Sequence, residues 1–168
     1  GGAESNVSGW WLCSRFDYIQ LNDAGLTLSG SLTIEPGGIL VIEGFAMDDQ
    51  SADLGLYSTP SFGSSSAIVD FVQWGGAGIG REGVASTAGI WTAGEFVPDV
   101  AAGSSIEYDG DGETAADWVE QTTPTFGAIN DAVQSSEPLT YKARLTGSQE
   151  VLPVTTYAYG QVTAVLDG

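Results

Sequence analysis

Short runs of apolar and β-branched residues, punctuated by Gly, Pro, Ser and Asp, recur along most of the chain, the pattern of a β-sandwich. Residues 16–21 and 26–34 predict strands. The Pro36-Gly37-Gly38 turn then leads into Ile39-Leu40-Val41-Ile42, a continuous apolar run that reads as a strand buried on both faces. Residues 54–57 and 67–74 predict two more. In the second of these, Ile68, Val72 and Trp74 fall on one face, with Asp70 as an odd polar member among them. One segment departs from period two: Val84, Ala88 and Trp91 stand at i, i+4 and i+7, one side of a short helix that Gly83 and Gly89 weaken. Residues 105–108 and 118–121 return to strand, and a loop over 122–130 closes the body.

The remainder reads as a separate piece. Ser135-Ser136-Glu137-Pro138 is linker-like. Beyond it Tyr141, Ala143 and Leu145 alternate with Lys142, Arg144 and Thr146, and after Gly160 the residues Val162, Ala164 and Leu166 repeat the alternation. Pro153 bars a central strand between them, so the segment predicts a hairpin with a wide connection. The organisation is therefore a body over residues 1–131, a linker over 132–138 and a hairpin tail over 139–168. The fold class is all-β, a sandwich with one short helical segment and a C-terminal β-hairpin extension.

Charge sharpens this division. The 168 residues carry 22 acidic and 4 basic side chains and no His, a net charge of −18. Residues 1–131 hold 19 of the acids and only Arg15 and Arg81, a net of −17; residues 132–168 hold 3 acids with Lys142 and Arg144, a net of −1. Such a chain repels nucleic acid and anionic membranes, whose binding rests on Lys and Arg. No stretch is apolar enough to insert into a bilayer. The N-terminal residues lack a basic and apolar leader, so a secreted form would already have lost its signal peptide. Without His, imidazole triads and His-ligated zinc are closed, and no catalytic residue is assigned.

Local chemistry adds little. Asp109, Asp111 and Glu113 share a Gly-rich turn that could offer oxygen ligands to calcium; an ordinary solvated turn is the favoured reading of the run, and no cofactor is required. Asp48, Asp49 and Asp53 form a similar cluster. Asp70 and Asp117 lie beside aromatics as a glycosidase pair would, but hydrogen-bonded structural roles are the simpler reading. Trp and Tyr rings suit sugar faces, although most fall within strand motifs and read as core. Cys13 reads as a small buried hydrophobe. Asn6-Val7-Ser8 matches the N-glycosylation pattern at Asn6.

Residues 8–130 resemble the lamin-tail domain superfamily. The matching segments are Ser8-Gly9-Trp10-Trp11-Leu12, the Pro36-Gly37-Gly38 turn before Ile39-Leu40-Val41-Ile42, Asp70-Phe71-Val72-Gln73-Trp74-Gly75, residues 105–108 and Thr123-Pro124-Thr125-Phe126-Gly127-Ala128-Ile129-Asn130. The resemblance implies an immunoglobulin-like β-sandwich, a secreted bacterial setting and an interaction role with no family active site. Such domains open with one or two strands upstream of Ser-Gly-Trp, and here only residues 1–7 precede it. The tail is similar to the opening of a CHRD (chordin-like) domain, through Leu145-Thr146-Gly147-Ser148-Gln149-Glu150-Val151-Leu152-Pro153-Val154 and Tyr159-Gly160-Gln161-Val162. A complete domain of that type is longer.

A two-stranded hairpin is marginal alone in water. Its apolar residues, Tyr141, Leu145, Val151, Val154, Val162 and Leu166 among them, gain about what ordering its backbone costs. It needs a further sheet, and an open sheet edge is the template that would supply one. The expectation is a non-enzymatic extracellular or cell-surface subunit that assembles with copies of itself into a filament or matrix, by strand complementation from the tail. The alternative is an adhesion module, carbohydrate- or calcium-dependent, that meets surface glycans with the tail packed on its own body.

Overall fold

The computed structural model describes residues 3–110, 112–131, 133, 139–146 and 159–166. The chain divides into two compact units, Gly1–Ala132 and Val133–Gly168. The described secondary structure is mostly β with one short helix, consistent with an all-β class. No helix among the described residues is long and apolar enough to cross a membrane.

In the first unit a four-stranded antiparallel sheet forms the centre. Its order is β3 (Asp17–Gln20), β2 (Trp11–Ser14), β7 (Ala52–Tyr57), β8 (Ile68–Trp74). Three two-stranded ribbons accompany it: β1 (Ser5–Asn6) with β5 (Thr33–Ile34), β4 (Thr27–Ser29) with β6 (Val41–Glu43), and β9 (Ser105–Tyr108) with β10 (Trp118–Gln121). The register puts Cys13, Gly55 and Phe71 in one cross-strand row and Leu12, Leu56 and Asp70 in the next. Alternation sends these rows to opposite faces. Cys13, Tyr57, Ile68 and Phe71 pack with Ala85 and Trp91 beneath the helix, while Leu12 packs with Val7 and Leu21, joined by Leu54, Leu56, Ile34 and Ile42. Both faces of the sheet are covered. That explains why β7 is apolar almost throughout and shows no clean alternation.

Three local readings of the sequence change here. The expected strand over 26–34 is two strands, because Gly30 turns the chain at φ 114°, where a Cβ would meet the Ile39 carbonyl oxygen at 2.7 Å. The run 39–42 is not buried on both faces: Leu40 and Ile42 face the core, but Ile39 is 42% exposed. A two-stranded ribbon has only one face to bury. In β8 the register slips between Leu56 and Tyr57, so that Tyr57 pairs with Ile68 and Leu56 with Asp70. The extra residue reverses the phase. Ile68 therefore shares a face with Phe71 and Gln73, whereas Val72 and Trp74 lie with Asp70.

The helix α1 (Glu82–Ala88) forms where its spacing places it, with Ala85 fully buried at its centre. It stops at Gly89, which takes φ 79°; the Gly89 and Ile90 amides donate to the Ser86 and Ala85 carbonyls, closing the helix. Trp91 thus lies just beyond the helix, buried against Phe71. In the second unit β11 (Leu139–Thr146) pairs antiparallel with β12 (Tyr159–Leu166) as a sheet of two strands.

Candidate functional site

The upper face of the central sheet holds buried polar side chains that fix the surrounding loops. Asp53, wholly buried, accepts the Arg15 amide at 2.7 Å and the Arg81 amide at 2.9 Å. Arg15 and Phe16 join β2 to β3 in a two-residue turn with φ 48° and 70°, the type I′ geometry usually built from Asn and Gly. Gln73, equally buried, donates from Nε2 to Glu82 Oε1 at 2.7 Å and to the Glu95 carbonyl at 2.6 Å, and its Oε1 accepts the Ile79 amide at 3.3 Å. The Trp91 indole N–H donates to the same Glu95 carbonyl at 3.1 Å. The segment from residue 79 to 95 is thereby pinned, and Trp91 with it. Each buried polar atom named here has a partner, which is the condition for keeping it inside.

Beside β8, a cavity of about 320 Å³ opens between that strand and the β9–β10 ribbon. Val69, Asp70 and Trp91 form part of its lining, with Tyr108, Trp118 and Glu113 across from them. Tyr108 and Trp118 are direct cross-strand partners, and their rings lie 5.5 Å apart at 48°. Cross-strand aromatic pairs of this kind stabilise a ribbon and present one continuous wall. The Tyr108 hydroxyl donates to the Gly112 carbonyl at 2.9 Å, holding the turn that carries Glu113. Asp70 Oδ1 accepts the Phe71 amide at 2.8 Å. The residue keeps surface exposure, yet the cavity walls withdraw water from its carboxyl, and this desolvation raises its pKa against the smaller opposing effect of that amide. Desolvation also raises the Tyr108 phenol, followed by the charges of Glu113, Asp117, Asp109 and Asp70.

The remaining sequence candidates separate. Asp117 does not join Asp70. Its Oδ2 accepts the Thr114 amide at 2.7 Å and hydroxyl at 2.8 Å, a capping box for the single helical turn before β10. The cluster of Asp48, Asp49 and Asp53 does not assemble either. Asp53 turns into the core, while Asp48 accepts the Gln50 and Ser51 amides and pairs with Arg15 at 3.4 Å. The Ser51 and then the Gln50 amide hold its carboxyl below the ordinary value. Of the proposed calcium turn, Asp111 lies outside the described residues, Asp109 donates its amide to the Asp117 carbonyl, and Glu113 turns to the cavity. Among the described residues no three acidic or thiol side chains converge to hold a metal. Asn6 is exposed on β1, where its Oδ1 accepts the Ser8 amide and hydroxyl at 3.0 and 2.7 Å. Cys13 is a buried free thiol whose pKa burial pushes up.

In the tail, Tyr141 pairs with Ala164, Lys142 with Thr163, Arg144 with Gln161, Leu145 with Gly160, Val162 with Ala143 and Leu166 with Leu139. Val151 and Val154 lie outside the described residues. Sequence reasoning missed the buried pair Asp53 and Gln73, and the meeting of Asp70 with Glu113. The one available signal was Asp70 interrupting an apolar strand. No family model matches the chain, and no curated protein or solved structure matches it.

Proposed function

We propose that this protein is an extracellular, non-enzymatic structural subunit whose hairpin tail completes the sheet of a neighbouring copy, building a filament or matrix. On this reading the body is an immunoglobulin-like sandwich of the lamin-tail type, and the tail is a CHRD-like hairpin. The observation that carries it is the pairing of β11 and β12, among the described residues, as a sheet of two strands. A sheet that small is marginal in water, and a further strand would satisfy its outer N–H and C=O groups.

The edge that would accept the tail lies on the first unit. In the central sheet β3 is the outermost strand among the described residues, so one side of Asp17–Gln20 has no strand partner there. Strand addition across such an edge is a common mode of recognition. At the other edge, a parallel bridge from Trp74 to Val97 already covers the end of β8. Charge favours the same pairing: the tail brings Lys142 and Arg144 to a body of net −17 that repels its own copies. Head-to-tail contacts of this kind need not close, and open ones make fibres.

The test is a chain ending at Asn130. The full chain should form particles larger than a monomer by sedimentation and extended assemblies by negative-stain microscopy. The shortened chain, checked for a cooperative melt, should sediment as a monomer. Assembly that persists without residues 131–168 refutes the proposal, and so does a full chain that stays monomeric at every concentration.

A further inference from the structure

We propose that the cavity between β8 and the β9–β10 ribbon binds a neutral sugar ring, such as one hexose of a surface or matrix glycan. The inference is independent of the assembly reading, because every residue it uses lies within the first unit. Its volume of about 320 Å³ falls at the lower end of the range of small-molecule sites, roughly 300–1,000 Å³.

The lining selects the ligand by its hydrogen-bonding capacity. Asp70 and Glu113, as carboxylates, only accept. Asp70 spends one oxygen on the Phe71 amide, and the Glu113 carboxylate meets no cation among the described residues. Tyr108 has already given its hydroxyl proton to the Gly112 carbonyl, so its oxygen can only accept. The Trp118 indole N–H is a donor that no described group engages. A ligand for this surface must donate several hydrogen bonds, must also accept, and must offer an apolar face to the Tyr108–Trp118 wall.

A pyranose meets all three requirements. Its hydroxyls donate to carboxylates in short, charge-assisted bonds and can accept from an indole, while its C–H face lies against the rings. A phosphate, uronate or other anion offers mainly acceptors and meets a chain of net −18. A purely apolar guest would leave Asp70 and Glu113 desolvated without compensation. An ammonium or guanidinium donates to the two carboxylates but has no acceptor to offer the Trp118 indole N–H.

The experiment follows tryptophan fluorescence and binding heat of the full chain against neutral trisaccharides: cellotriose, maltotriose, mannotriose and chitotriose. Trigalacturonate and arginine amide serve as the anionic and cationic arms. At least one neutral trisaccharide should give a saturable response. Glu113→Gln, which leaves the apolar core untouched, should weaken it roughly tenfold, the loss of one charge-assisted hydrogen bond. Trp118→Phe should weaken it and Trp118→Ala abolish it, each variant checked for an unchanged fold by circular dichroism. Trigalacturonate should give nothing. The proposal is overturned if none of the four neutral sugars saturates, if arginine amide binds in their place, or if Glu113→Gln and Trp118→Phe both bind as the parent does.

Discussion

Asp53 and Asp70 sit on neighbouring strands and meet opposite fates. Asp53 is wholly buried but receives two backbone amides, so its charge is answered inside the fold. Asp70 keeps some solvent but has only its neighbour's amide, and desolvation raises its pKa. An acid whose folded pKa lies above its unfolded value, 3.8 here, binds more protons when folded. Its stabilising share is complete below that pH and is lost as pH rises through the folded pKa. Asp70→Asn should therefore raise stability at pH 7, by less than about 0.5 kcal/mol given its exposure, and give no gain near pH 3. Urea melts at the two pH values check it; a loss at pH 7 contradicts the assignment. The same variant should weaken sugar binding, the trade of stability for function that binding sites show. In the sequence Asp70 was visible as a break in an apolar strand. Asp53 was not distinguishable from Asp48 and Asp49, because nearness along the chain does not say which carboxylate turns inward.

At the scale of elements, β7 and β8 were legible from their apolar runs and α1 from its helical spacing. Legibility was lost where one residue changes the phase. The bulge in β8 moves Ile68 away from the face of Val72 and Trp74, and nothing in its side chains announces it. The β2–β3 hairpin was hidden for a related reason. Its turn uses Arg15 and Phe16 where Asn and Gly would be read as a signal, and the reading placed Phe16 inside a strand. Two bulky residues with positive φ cost on the order of 1 kcal/mol each. The turn keeps a return: the Arg81 guanidinium lies 4.8 Å from the Phe16 ring centroid and also bonds the Tyr18 hydroxyl. That contact is worth about 0.5–1 kcal/mol at an exposed site. The double variant Arg15→Asn, Phe16→Gly should thus gain about 1 kcal/mol in urea unfolding, since strain relief exceeds the lost ring contact and the exposed pair with Asp48. A net loss would show that the turn is held by contacts larger than these.

For the whole molecule, the step in charge after residue 131 falls beside the boundary of the two compact units at Ala132. An acidic body that repels its copies, and a nearly neutral tail that carries half of the basic residues, favour a contact between unlike parts. A mostly β chain with one short helix was legible in the recurring short apolar runs, but the division into a central sheet and three ribbons was not. Pairing partners far apart in sequence are chosen by the closing of the whole fold. The most direct test of the central claim is amide hydrogen exchange across β11 and β12 as the full chain is diluted. Protection of these strands should rise with protein concentration while that of β2 and β7 stays constant. Protection in β11 and β12 that does not change on dilution would contradict completion of the tail by a neighbouring copy.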